Sequence, residues 1–309
     1  MVDSSTSKNG STDDVSDDSV SRRRFLRTAG ATAAVGAGAV GATNGVGAIS
    51  KTEGSQDGPS DFPRFSTRDN YSVTWYGSTQ EEAEWWEYEK WGDFNGYGVY
   101  DGDELVIHIH GWTNDDEGAV DGFYTSDVAL SQDGNYDQPV AGWSWDADKG
   151  TWWNATTIAE GNGPTLAYAT YQFKQNNPGT PVRWISHSLG GRVAAEGLKQ
   201  LDEWGYTDYV ESATFLGAAV DNEDVAYGGE YYSGIANAAK TVDNFHKTDD
   251  SVLGWAYSTA ELGAAVGQYG ADGTPPANYT DHDVTNQVAD HYSHYYPSVG
   301  VMDLVVDNF

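Results

Sequence analysis

The chain contains no cysteine. Disulfide bonds, thiolate ligands to a metal and a cysteine nucleophile are therefore excluded, as is a lipid-modified cysteine anchor near the N-terminus. Tryptophan and tyrosine are abundant instead, with 12 and 20 copies, so aromatic rings supply much of the apolar surface that a core needs. The length of 309 residues is sufficient for one α/β domain of about 250 residues.

Basic residues are scarce. Only 16 residues are Lys or Arg, whereas 47 are Asp or Glu, and the formal net charge is -31. Phosphate binding needs a basic patch, so nucleic acid is excluded as a partner and an anionic membrane surface is unfavourable. Salt screens the repulsion among so many carboxylates, because the Debye length falls to about 3 Å near 1 M. The composition therefore predicts a surface adapted to concentrated salt.

The run of small apolar residues over 28–48 is only weakly hydrophobic and predicts no stable transmembrane span. The preceding residues 21–27 read Ser-Arg-Arg-Arg-Phe-Leu-Arg and closely resemble a twin-arginine export signal. That resemblance implies a protein that folds first, is handled by the twin-arginine export machinery and is then secreted. We predict a leader over 1–48, with residues 1–20 disordered, and one folded domain over 49–309.

Strands alternate with helices from residue 104 onward. Predicted strands cover 104–109, 140–145, 180–187, 211–220 and 241–246, and predicted helices cover 163–176, 192–204, 252–267 and 299–306. This alternation predicts an α/β fold with a mainly parallel central sheet and helices on both faces. The prediction also includes an extended lead-in at 49–68, a strand at 71–76, a short helix or edge segment at 81–91, an acidic loop running into a helix at 113–127, a candidate lid at 222–240, and a loop with a late strand at 278–290.

Residues 182–191 read Val-Arg-Trp-Ile-Ser-His-Ser-Leu-Gly-Gly, and a helix-forming run begins directly afterwards. Ser188 thus stands between a strand and a helix, with the small residues Ser186 and Gly190 two positions to either side. This is the context of a nucleophile elbow, a strained turn that projects a hydroxyl from the sheet. The helix start directs free N–H groups at the same point, which favours developing negative charge.

About eighty residues before the Ser188 turn, the chain reads His108-Ile109-His110-Gly111-Trp112. Together they resemble the lipase/esterase branch of the α/β-hydrolase family, with Ser186 where the usual pattern has glycine. The resemblance implies an α/β-hydrolase fold over 49–309 and a serine hydrolase acting on small-molecule or lipid carboxylic esters without a cofactor. It also implies that the acid and then the histidine follow the nucleophile along the chain.

The histidines that follow Ser188 and the best acid are His282, His291 and His294. Residues 288–295 resemble the histidine segment of lipase-like hydrolases, which favours His291 as the general base and leaves His294 and His282 as alternatives. The acid is expected just past the strand at 241–246. Asp250, directly before Ser-Val-Leu, matches the family pattern, and Asp249 and Asp221 are the alternatives.

The oxyanion of an acyl-transfer reaction needs two fixed donors. The resemblance assigns these to the backbone N–H groups of Leu189 and Trp112, and Gly111 lets the backbone approach closely.

No metal is predicted. His108 and His110 alternate on one strand face without a carboxylate or cysteine cluster at ligand spacing, and the acidic loops at 114–117 and 221–224 fit no EF-hand.

These observations together favour a secreted, salt-adapted, haloarchaeal-type carboxylic ester hydrolase. No phosphate-binding loop or dinucleotide fingerprint is present in the sequence, so no redox or phosphoryl-transfer cofactor is predicted. Two alternatives stay open. An amidase or peptidase would use the same fold and residues, and a secreted binding protein would retain the fold without the chemistry.

Overall fold

The structure, a computed structural model, describes residues 54–257, 261 and 263–309. The predicted leader over 1–48 lies outside the described residues. The strands of the described chain are β1 Arg64–Ser66, β2 Tyr71–Val73, β3 Thr79–Glu81, β4 Glu89–Trp91, β5 Leu105–Ile109, β6 Val140–Ser144, β7 Val182–His187, β8 Val210–Leu216, β9 Ala239–His246 and β10 Tyr279–Asp283. Eight of them form one sheet, and β2 and β3 form a separate hairpin.

The main sheet is almost entirely parallel. Its strand order is β10-β9-β8-β7-β5-β6-β1-β4, and only the edge strand β4 runs antiparallel to its neighbour. The order doubles back around β5, so consecutive strands are joined through helices that cross the faces of the sheet. The predicted fold class, an α/β-hydrolase fold with a mainly parallel sheet, is confirmed.

Helices cover both faces of this sheet. In the described chain they are α1 Asp116–Gln132, α2 Trp152–Asn176, α3 Gly190–Glu203, α4 Tyr232–Ala238, α5 Ser251–Ala256, α6 Val266–Tyr269 and α7 Met302–Asp307. Alternate residues of β5 face opposite sides, as the strand period requires. Leu105 and Ile107 enter a core shared with α2 and α3, whereas Val106 enters a second core shared with α1 and α7. Among the described residues, none of the helices combines the length and the apolar character that a membrane span requires.

The predicted helix at 163–176 begins earlier, at Trp152, and carries Pro164 in its interior. A proline there normally interrupts a helix. Tertiary packing outweighs this preference, because α2 lies against α3: a Cβ added to Gly163 would stand 2.3 Å from the Glu196 Cβ. The helix therefore continues through the proline along the surface of its neighbour.

The predicted helix at 252–267 is wrong as a single element. It is divided into α5 and α6, with an antiparallel bridge between Asp221 and Ala265 in the interval. A Cβ on Gly267 would lie 2.1 Å from the backbone nitrogen of Ala218, so the chain here passes directly against the end of β8. The alanine content predicted one helix, but the chain instead packs its backbone closely against the carboxyl end of the interior strand β8.

The N-terminal part of the described chain contributes more than a lead-in. β1, within the segment 49–68, is inserted in the sheet between β6 and β4. In the predicted segment 81–91, only Glu89–Trp91 forms an edge strand, β4, after the short hairpin of β2 and β3. The segment therefore corresponds to the edge alternative rather than the helix.

Candidate active site

The turn between β7 and α3 holds Ser188 in a left-handed backbone conformation, with φ of +55°. A residue other than glycine adopts this conformation only where its surroundings impose it. Two glycines permit the close packing: a Cβ on Gly190 would lie 2.5 Å from the Ile109 carbonyl oxygen, and one on Gly111 would lie 2.7 Å from the Ser188 Cβ. Small residues are therefore required on both sides of the Ser188 hydroxyl.

Three side chains from distant segments form a continuous hydrogen-bond relay. The Ser188 hydroxyl lies 2.8 Å from His291 Nε2, and His291 Nδ1 lies 2.6 Å from Asp250 Oδ2. When Nδ1–H donates to the carboxylate, Nε2 is left as the acceptor for the hydroxyl. All three residues are buried, so the relay operates with little water around it.

Asp250 precedes α5 as its N-cap residue. Its Oδ1 accepts hydrogen bonds from the backbone N–H groups of Val252 at 2.9 Å and Leu253 at 3.0 Å. Burial acts to raise the pKa of Asp250, but the His291 imidazole and the Leu253 amide outweigh burial and lower it. The carboxylate therefore stays charged at neutral pH and in a fixed orientation.

The alternative bases lie elsewhere. His282 faces Asp243 at 2.8 Å and stacks on Phe245 at the far edge of the sheet. His294 is fully buried, and its hydrogen bond goes to the His291 carbonyl oxygen at 3.1 Å. Neither ring is hydrogen-bonded to Ser188.

The alternative acids are also separated from His291. The Asp249 side chain is 68% exposed and pairs with Lys247. Asp221 lies at the bridge to Ala265, and burial raises its pKa to about 6. Of the acids predicted from the sequence, Asp250 is the one that the structure brings to the imidazole.

His187 was not singled out from the sequence, although it directly precedes Ser188. Its Nε2 lies 2.7 Å from the carbonyl oxygen of His291, the same oxygen that His294 Nδ1 approaches. Burial lowers the pKa of His187 well below its ordinary value and that of His294 to about 4, so both rings are neutral. Each therefore donates one N–H, and together they hold the backbone of His291 in place. A histidine inside the elbow itself was the signal that could have drawn attention to it.

The two predicted oxyanion donors lie in the two turns next to Ser188. Leu189 follows Ser188 in the elbow, and Trp112 lines the pocket above the hydroxyl. His110 shapes the turn that leads to Trp112. Its Nδ1–H donates to the Gly111 carbonyl at 2.9 Å, and its Nε2 accepts from the Trp145 backbone at 3.1 Å. Both ring nitrogens are thus used in orienting this turn.

A pocket of about 420 Å³ opens over Ser188. Its walls include the side chains of Trp112, Trp152, Leu253, Trp255, Tyr292 and Tyr295. Trp112 and Trp152 meet edge to face with 5.2 Å between ring centroids, and Trp255 is half exposed. A largely aromatic wall of this kind suits an apolar group.

The candidate lid at 222–240 contributes no residue to this pocket. Its helix α4 packs on α3, where a Cβ on Gly234 would lie 2.5 Å from the Lys199 backbone nitrogen. The hydroxyl of Tyr231 donates to Glu196 at 2.9 Å in the same contact. The segment is folded against the side of the domain.

No group of three or more metal-ligating side chains occurs among the described residues. In the acidic loop at 114–117, Asp115 caps α1 through the Gly118 amide, and Asp116 pairs with Arg64 at 2.8 Å. These carboxylates have structural partners.

The buried imidazole of His108 should make the stability of the protein depend on pH. It is fully buried with neither ring nitrogen hydrogen-bonded in the described chain, and burial lowers its pKa to about 3. The unfolded chain binds a proton near pH 6.5, whereas the folded chain does not, so the free energy of unfolding falls as pH drops below that value. We expect His108→Leu to reduce this slope by about 1.4 kcal/mol per pH unit between about pH 6 and 4.

Urea unfolding at a series of pH values and one salt concentration measures the slope. Ile107→Leu, at the neighbouring strand position, is the control and should change stability without changing its pH dependence. An unaltered slope in His108→Leu would show that the imidazole is protonated in the folded protein.

Comparisons with known proteins find distant structural likenesses. No protein-family model and no curated protein sequence matches the chain. Est1E from Butyrivibrio proteoclasticus aligns with a TM-score of 0.35 at 14% identity, over 66% of this chain and 84% of that protein. Trichoderma reesei cutinase aligns with a TM-score of 0.26 at 19% identity, over 38% of this chain and 52% of the cutinase. Likenesses this distant carry no argument about function, which must follow from the site.

Proposed function

We propose that this chain is a serine hydrolase of carboxylic esters. The observation that carries the proposal is the relay of Ser188, His291 and Asp250 beneath an aromatic pocket. A serine hydroxyl is a weak nucleophile, and it needs an imidazole to take its proton and a third group to orient that imidazole. The distances from Ser188 Oγ to His291 Nε2 and from His291 Nδ1 to Asp250 Oδ2 suit this division of roles.

In the first half of the reaction, Ser188 Oγ attacks the ester carbonyl carbon while its proton passes to His291 Nε2. The carbonyl oxygen becomes an oxyanion, which accepts hydrogen bonds from the backbone N–H groups of Leu189 and Trp112. Each such donor contributes about 2.7–4 kcal/mol to lowering the barrier. When the carbon–oxygen bond breaks, His291 returns the proton to the departing alcohol, and the acyl group stays on Ser188.

In the second half, a water molecule enters where the alcohol left. His291 takes one of its protons, and the hydroxide attacks the acyl carbon. The same two amides hold the second oxyanion, and collapse releases the carboxylic acid and returns the proton to Ser188. Asp250 remains a carboxylate throughout and stabilises the transient imidazolium.

A fluorophosphonate probe tests this proposal. It should label the full chain at Ser188, identified by peptide mass, and lose its target in Ser188→Ala. A matched pair of substrates then shows whether the protein cleaves esters or amides. p-Nitrophenyl butyrate should be cleaved, and the corresponding p-nitroanilide should be left intact. Cleavage of both would favour the amidase, and an unlabelled, folded protein would favour the binding protein.

The size of the pocket limits which acyl groups of the substrate can fit. A volume of about 420 Å³ with tryptophan and tyrosine walls accommodates an acyl chain or an aromatic acid. Lipase is the narrower form of the proposal, and it requires turnover of emulsified triacylglycerol. Hydrolysis restricted to soluble short-chain esters would identify an esterase.

Gly111→Ala should lower kcat by about 100-fold or more, because the added methyl would stand 2.7 Å from the Ser188 Cβ and displace the hydroxyl. Hydrolysis of p-nitrophenyl butyrate and thermal unfolding are measured together. Gly122→Ala is the matched control, since its methyl would meet the Tyr295 hydroxyl at an ordinary 3.5 Å. Full activity in Gly111→Ala would contradict the proposed placement of the turn at 110–112 next to Ser188.

We further propose secretion by the twin-arginine route and function in concentrated salt, as in haloarchaeal-type proteins. Arg22 and Arg23 in the predicted signal and the net charge of -31 support this. Changing both arginines to lysine should retain the protein in the cells, and activity should rise from about 0.1 M to about 2 M NaCl as the repulsion is screened. Export of the double variant, or activity that only falls with salt, would contradict these two points respectively.

A further inference from the structure

A second concave surface lies beside the edge strand β4. This groove has a volume of about 950 Å³ and shares no lining residue with the Ser188 pocket. It is bordered by β4, by the loop after β1 and by the loop after β6. The proposed hydrolysis makes no use of it.

The cationic side chains of the groove are already paired with carboxylates. Arg64 pairs with Asp116 at 2.8 Å, and Arg68 pairs with Asp148 at 2.8 Å. Lys149 lies 3.0 Å from both Asp69 and Asp146. The cations in the lining thus have carboxylate partners, and further carboxylates of Glu87 and Glu89 complete the wall. Carboxylates outnumber cations, so an anionic ligand would be repelled.

Two tryptophans give the groove exposed aromatic surface. Trp86 is 44% exposed and Trp91 is 52% exposed, although indole rings are normally more deeply buried. Trp91 is held in orientation, because its Nε1–H donates to Glu89 at 2.9 Å and the Arg64 guanidinium lies 5.9 Å from its ring centroid. The cost of exposing these rings to water is recovered when a ligand covers them.

We propose that this groove binds a neutral oligosaccharide. The C–H faces of sugar rings stack on indole rings, and sugar hydroxyls both donate and accept, so they can bond ion-paired carboxylates and cations without disturbing the charge balance. A purely apolar chain would desolvate those charged groups without replacing their hydrogen bonds. The mixture of exposed indoles and ion-paired cations therefore matches a neutral, hydroxyl-rich ligand.

The proposal is tested by titrating the full chain with cellohexaose, xylohexaose and maltohexaose, followed by calorimetry and tryptophan fluorescence. We expect at least one hexaose to bind with a Kd of about 1 mM or lower. Trp86→Ala and Trp91→Ala should each weaken that binding by about tenfold or more. Trp75→Ala is the matched control, since Trp75 is 95% exposed and lies outside the groove lining, and it should bind as the unchanged chain does.

Binding should also be unchanged in Ser188→Ala, which separates the groove from the proposed hydrolysis. If Trp91→Ala unfolds because β4 is disturbed, Asp148→Asn supplies the second groove variant and should weaken binding. Three results would overturn the proposal: no hexaose binding, equal loss in Trp75→Ala, or tighter binding of hexagalacturonate than of the neutral hexaoses.

Discussion

Ser188→Ala is expected to lower kcat for p-nitrophenyl butyrate by about 10⁶-fold while leaving the fold intact. The variant removes the atom that forms the acyl-enzyme in the proposed mechanism, and no other hydroxyl of the described residues is hydrogen-bonded to His291 Nε2. Residual turnover would come from the oxyanion donors and binding alone, at about 10³-fold over water. Steady-state kinetics on protein of verified circular dichroism measures the effect.

The control for this variant is Ser251→Ala. Ser251 also lines the pocket, but its hydroxyl has no imidazole partner in the described chain, so its removal should leave kcat within about twofold. A loss shared by both variants would indicate a general disturbance of the pocket. Undiminished turnover in Ser188→Ala would refute the proposed serine mechanism.

Asp250→Asn is expected to lower kcat by about 10⁴-fold with a smaller change in KM. Asparagine has nearly the same shape, and its carbonyl oxygen can still accept from the Val252 and Leu253 amides, so α5 keeps its N-cap. The amide would present its NH₂ to His291 Nδ1, which favours the opposite tautomer. His291 Nε2 would then carry a hydrogen and be unable to accept the Ser188 proton.

Asp249→Asn is the matched control, because it changes the same charge one position earlier on an exposed side chain. It should retain kcat within about twofold. If Asp249→Asn lost as much activity as Asp250→Asn, a general electrostatic effect would explain both. A loss confined to Asp249→Asn would mean that the proposed acid is misassigned.

Elements with a strong local signal could be predicted with good bounds. The buried strand at 104–109 appears as Leu105–Ile109, and the strand before Ser188 ends at His187 as expected. Both are short apolar runs bounded by turn residues, so their own side chains identify them. The helix after the elbow runs from Gly190 to Glu203, close to its predicted end.

Elements governed by distant contacts could not be predicted. α2 continues through Pro164 because it lies on α3. The alanine-rich segment after Asp250 is interrupted before α6, whose Gly267 packs against the end of β8. The role of His187 depends on the His291 carbonyl, which lies 104 residues away in the chain. In each case the contact that determines the structure involves a residue remote in sequence, so local secondary-structure preference does not indicate it.

The bend around Ser188 is encoded locally, since a strand, small neighbours at Ser186 and Gly190, and a helix start are sufficient to recognise it. The acid and the histidine that act with Ser188 are not identified by such a local signal. Asp249 and Asp250 are adjacent and chemically identical, and His291 and His294 share one short segment. Their distances to the hydroxyl depend on the order of β7, β8 and β9 in the sheet, which brings a carboxylate and an imidazole from 41 residues apart to 2.6 Å. Side-chain pattern specifies which residues can do the chemistry, whereas the packing of remote segments selects which of them meet.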